Sequence, residues 1–305
     1  MTSESRAAAL PISPPRPGRE RLVGLACALG VLAVWTGFLL SSRFGTRQFL
    51  TPWDMAALRY AGSLVVGLVI AAAFGWPRLA PGRCLALMAT AAFGYPLLAY
   101  WGFRYAPTAH AAVLMTGMLP FAAALLGAVF LGELFPRGRL LSLGVVGGGI
   151  LLLAADTFGA HPGAWRGDLL FLSACLSWAS FTVLIRRWQV PALTATTMLA
   201  LYPPLIYLPL WWLGLPSEMA SASPGAIAYQ LVYQGFFAVV VAGFLFTRAV
   251  NALGSARTTT ITALTPALAA LAAGPLLGEW LGWAGLAGVA LVSVGMVLGV
   301  LGRQR

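Results

Sequence analysis

Of the chain's 305 residues, 60% are hydrophobic and only 9% charged, where a soluble domain carries about 25% charged residues. With a mean hydropathy of +0.85, polar surface is too scarce to cover a water-soluble globule. The net charge of +11 comes entirely from arginines set in ones and twos between apolar runs, which argues against a nucleic-acid surface. Cys27, Cys84 and Cys175 stand alone, which argues against a disulfide framework or a metal site.

Residues 1–20 are polar and proline-rich with no apolar core, so they predict a disordered cytoplasmic tail and no secretory signal. Ten apolar segments follow, at 22–41, 52–74, 84–103, 109–131, 138–155, 167–185, 193–212, 226–246, 256–277 and 281–301. Most hold about 20 residues, the length a helix needs to cross roughly 30 Å of hydrocarbon. The fifth is the shortest, and the close pairs around Glu133 and Glu279 are easily merged by a coarser reading. If the N-terminus is inside and every segment crosses, 14 arginines fall inside and 4 outside, with Arg59 within the second segment. That bias follows the positive-inside rule and places both termini in the cytoplasm.

The halves repeat. At an offset of 146 residues Pro120 and Leu131-Gly132-Glu133 align with Pro266 and Leu277-Gly278-Glu279. At an offset of 143, Gly24, Trp35, Phe38 and Arg43 align with Gly167, Trp178, Phe181 and Arg186. Each unit, 21–157 and 166–302, holds five segments. Five is odd, so the second unit enters the bilayer from the opposite side. The predicted fold is therefore an all-α integral membrane protein of ten transmembrane helices in two inverted-topology five-helix repeats.

In these motifs the chain resembles the EamA-type members of the drug/metabolite transporter superfamily over roughly Leu22 to Leu301. The resemblance rests on the two Pro-x11-Gly-Glu helices, each followed by a glycine-rich span, and on the tryptophans of spans one and six. It implies a central cavity between the halves, and export or exchange of small metabolites, often amino acids or related compounds. The loops depart from that pattern in carrying arginine and no lysine.

Among polar groups, Arg59 lies about seven residues, roughly 10 Å, into its helix, where a charge is costly and faces a cavity or a partner. Trp35 and Trp178 correspond to one another and lie well inside their spans; with Arg59, Tyr95, Tyr100, Tyr202 and Gln234 they form the candidate substrate-binding set. An interface belt accounts for several of these aromatics equally well, Tyr100 above all. Pro120 and Pro266 are candidate hinges, because a proline inside a helix removes a donor. Glu133 and Glu279 end their helices, where a carboxylate reaches headgroups or the next helix N-terminus. His110 reads as an interfacial hydrogen-bonder.

No catalytic set, phosphate loop or metal cluster emerges, so no enzyme activity, metal or cofactor is expected. The function that fits is a transporter, an exporter by alternating access, embedded in a bacterial inner membrane and acting on a small-molecule substrate. The alternative is a membrane-embedded enzyme on a lipid-linked substrate, which the short, acid-poor loops disfavour. Gly144-x-x-x-Gly148 and Gly295-x-x-x-Gly299 raise a homodimer, with close packing inside the monomer favoured.

Overall fold

The computed structural model describes residues 17–47, 50–132, 138–160 and 163–301. The described residues are helical or in short connections, with no strand among them. The helices are α1 (Pro17–Arg47), α2 (Pro52–Phe74), α3 (Pro81–Tyr105), α4 (Thr108–Leu131) and α5 (Gly138–Ala160). They continue with α6 (Ala164–Trp188), α7 (Ala192–Gly214) and α8 (Pro224–Leu253). The last two are α9, in two pieces (Ser255–Thr262 and Thr265–Leu277), and α10 (Trp283–Leu301).

Eight of these are long and apolar enough to cross a bilayer; α5 and α10 are represented by shorter apolar stretches, Leu141–Leu153 and Trp283–Gly299. The chain is thus a multi-pass membrane protein. Each helix overlaps one segment read from the sequence; α1, α5 and α8 overrun theirs by a turn or more, and α10 starts two residues late. Helix α1 begins inside the supposed tail and runs to Arg47, because polar residues at a helix end can lie in the headgroup layer. Trp165, Trp212, Trp280 and Trp283 are exposed near helix ends, and Val69, Leu151, Leu205 and Phe244 face outward along the helices. That is an aromatic belt around a lipid-facing surface.

Small residues set the helix spacing. Helices α5 and α10 pack along their lengths: a Cβ on Gly149 would sit 2.6 Å from the Gly288 carbonyl, and one on Gly295 would sit 2.6 Å from Val146 Cγ2. Gly295 thus packs within the monomer, whereas Gly144 and Gly148 have nothing within 4 Å. Helices α2 and α8 cross glycine on glycine, with a Cβ on Gly235 falling 2.4 Å from Gly62 Cα. No side chain fits there.

Three helices widen locally into π turns, at Met88–Gly94 in α3, Ala112–Gly117 in α4 and Leu231–Val241 in α8. Such turns displace the backbone ladder and often mark functional sites. Helices α4 and α9 are each interrupted, at Met118 and at Ala263–Leu264. Pro120 and Pro266 stand in the first turn of the helical pieces that follow. The sequence reading put them in helix interiors; in the structure the proline's missing N–H falls where it would lack a helical partner anyway.

Candidate functional site

The repeated Leu-Gly-Glu corner has a local cause. Gly132 and Gly278 take the left-handed conformation, at φ 67° and 72°, and terminate α4 and α9. At the second corner Gly278 N–H donates to Gly274 O at 2.9 Å and Glu279 N–H to Ala273 O at 3.1 Å. This wrap of the chain over its own last turn is available cheaply only to glycine. It turns Glu279 back into the bundle. Glu133 lies outside the described residues.

Glu279 is the centre of a plug. Its Oε1 receives Arg43 Nε at 2.5 Å, and its Oε2 accepts the Thr108 N–H at 2.8 Å, at the start of α4. Arg43 also donates to the Phe103 carbonyl at the end of α3. Arg47 Nη1 donates to Leu277 O at 2.8 Å, with Glu279 3.9 Å away. The side chains of Arg43 and Glu279 are only 14% and 10% exposed. Alongside, His110 Nδ1 lies 2.6 Å from Asp168 Oδ1. The Arg43–Glu279 pair thus ties α1, α3, α4 and α9 together at one end of the bundle.

Below the plug lies a sealed polar layer. Gln234 Nε2 donates to Ser42 Oγ and Gln230 Oε1, both at 3.2 Å, and Tyr100 OH donates to Gln234 Oε1 at 3.1 Å. Gln230 Nε2 reaches Ser41 O at 2.8 Å. These side chains are essentially unexposed, and mutual hydrogen bonding is what makes their burial tolerable.

Beyond that layer a cavity of about 490 Å³ opens between α2 and α3 on one side and α6, α7 and α8 on the other. Arg59, Tyr60, Trp178, Phe181 and Thr182 line it, and Arg186 with Ala192 carries it to the α6–α7 turn. Two of the π-helical turns contribute wall, through Ala91 and Ala92 in α3 and Ala238 and Val239 in α8. Arg59 sits 5.8 Å from the Phe38 ring centre, and its Nη1 reaches Gln234 O at 3.4 Å. It is also within electrostatic reach of the Tyr60, Tyr95 and Tyr100 hydroxyls. Tyr95 packs 4.8 Å from Trp178, which packs 5.1 Å from Phe181.

Of the residues singled out in the sequence, Arg59 and Trp178 stand on the cavity wall, and Tyr95 backs Trp178. Tyr100 and Gln234 belong to the sealed layer. Trp35 stacks on Phe246 at 5.6 Å, between α1 and α8. Tyr202 donates to Pro77 O at 2.8 Å, against the end of α2. Arg186, Tyr60 and Phe181 were missed as wall residues. Arg186 and Phe181 had a signal, being the repeat mates of Arg43 and Phe38; Tyr60 offered only its adjacency to Arg59.

The sequence profile of the EamA-like transporter family matches residues 165–301. A solved structure described as "Crystal structure of protein" aligns with 94% of this chain and 98% of its own, at a TM-score of 0.61 and 21% identity. At that identity the likeness is one of fold. No curated protein matches the chain.

Proposed function

We propose that the protein carries small metabolites across the membrane by alternating access, a reading supported by the match of residues 165–301 to the EamA-like transporter family, part of the drug/metabolite transporter superfamily. In this reading ten helices cross the bilayer as two inverted five-helix units, 21–157 and 166–302, with both termini in the cytoplasm of a bacterial cell. Amino acids and related compounds are the substrate class that the family resemblance implies.

One observation carries the reading: a cavity at the seam of the halves reaches one end of the bundle, while an ion-paired plug closes the other. A wall of aromatic faces with few polar groups is the usual form of a small-molecule site. An enzyme on a lipid-linked substrate needs a reactive cluster at the interface, and the wall residues offer no nucleophile paired with a base.

The repeat extends the mechanism. The mates of Arg43 and Glu279 in the sequence are Arg186 and Glu133, so an inverted repeat would supply the residue types for a second latch of the same kind. The interruptions before Pro120 and Pro266 are the matching hinges, one in each unit. Transport then amounts to opening one latch while the other holds.

Counterflow in proteoliposomes preloaded with unlabelled solute tests the proposal. Labelled solute should accumulate transiently and chemically unchanged, and Trp178→Ala should raise the half-saturating concentration about tenfold, as expected for loss of a stacking face. A chemically modified product, or no accumulation with any of a broad metabolite panel, would overturn it.

A further inference from the structure

The charge balance around the cavity carries more than its shape. The chain has eight acidic residues, and those in the described region are committed elsewhere or lie off the wall. Asp54 accepts from Trp211 Nε1, from Glu218 N–H and from Thr51 N–H. Asp168 pairs with His110, Glu279 with Arg43, and Glu20 with Arg248. Asp156 accepts the Gly282 N–H, and Glu218 sits in the α7–α8 connection. Glu4 and Glu133 fall outside the described residues.

Arg59 is different. Among the described residues no carboxylate pairs with it; its neighbours are a carbonyl at 3.4 Å, a ring face and neutral phenols. A guanidinium held at membrane depth by neutral partners is suited to pair with an anion. The hydroxyls nearby turn their protons to the backbone: Tyr60 donates to Ala92 O, Ser63 to Tyr60 O and Thr182 to Ala179 O. They leave neutral oxygens, and no charge, to meet an ammonium.

We propose that the cavity takes amine-free organic monoanions, a carboxylate or comparable acid on a flat apolar body, in preference to amino acids or amines. The acid group would pair with Arg59 through charge-assisted hydrogen bonds, and the body would lie against Trp178 and Phe181. A zwitterion brings the same carboxylate, but also an ammonium that must be desolvated beside a fixed cation. This selectivity rests on the transport reading above and, among small metabolites, puts amine-free acids in place of the amino acids that the family resemblance implies.

Three probes with one body separate the possibilities: 3-phenylpropionate, phenylalanine and phenethylamine. Thermal stabilisation of the purified full-length protein should show the acid binding at least about tenfold more tightly than the amino acid, with the amine weakest. Arg59→Lys should keep the acid preference and Arg59→Gln should abolish it; should Arg59→Gln fail to fold, the wild-type ranking and Arg59→Lys decide. Equal or stronger binding of phenylalanine or phenethylamine, or no stabilisation by the acid, overturns the inference. Counterflow of the same probes keeps the two claims apart. Counterflow without acid preference sinks the selectivity and leaves transport standing, whereas acid-selective binding without counterflow does the reverse.

Discussion

Glu279→Gln should lower the unfolding free energy by about 2–4 kcal/mol, because it leaves Arg43 buried with a backbone carbonyl as its main remaining partner. The amide still accepts the Thr108 N–H, so the loss isolates the charge pair and not the helix cap. Adding Arg43→Gln should recover part of the loss, since the uncompensated cation is then gone. A double-mutant cycle measured by thermal or denaturant unfolding in detergent reports the coupling directly. Additive single effects would show that the plug is not held by this pair. In the functional reading the same substitution loosens the outer closure, so solute should leak from preloaded vesicles faster than with wild type.

Gly235→Val should be comparably damaging by a different route. Its first added carbon meets Gly62 Cα at 2.4 Å and Gly62 C at 2.8 Å, and both obstacles are backbone. Helices α2 and α8 must part, which costs on the order of 1–3 kcal/mol and draws Arg59 away from the Gln234 carbonyl. A clear fall in melting temperature and loss of counterflow are expected together. Gly144→Ala is the control, because nothing lies within 4 Å of its added carbon, and it should leave both unchanged. A silent Gly235→Val would mean that the α2–α8 crossing is looser than the structure has it.

The helices were legible in the sequence because bilayer thickness fixes segment length, and a run of about 20 apolar residues has few other uses. The ends were less so: Arg43 and Arg47 read as loop charges and Glu20 as part of the tail, yet all three lie on helix, where ion pairing or the headgroup layer accommodates them. The Leu-Gly-Glu corners were visible as a repeat, but their cause, a left-handed glycine wrapping the chain over its last turn, is a backbone fact that residue spacing only hints at.

Arg59 stood out because an arginine inside an apolar run has to be explained. Tyr100 and Gln234 stood out for the same reason, but the structure satisfies them with each other and with Ser42. A polar residue's demand for a partner does not say whether that partner is protein or solute. Trp35 and Trp178 show the limit of the repeat: equivalent in sequence, one stacks on Phe246 and the other lines the cavity. The cavity is walled by α6 but not by its repeat mate α1, so mates in the two halves have different surroundings.

The relative orientation of the two halves decides the whole account, and repeat-mate cysteines read it most directly. In a background with Cys27, Cys84 and Cys175 replaced, Leu134→Cys and Trp280→Cys would be treated in intact cells with a membrane-impermeant maleimide. Labelling of the second in intact cells, and of the first only after permeabilisation, is the predicted result. Labelling of both from one face would contradict it.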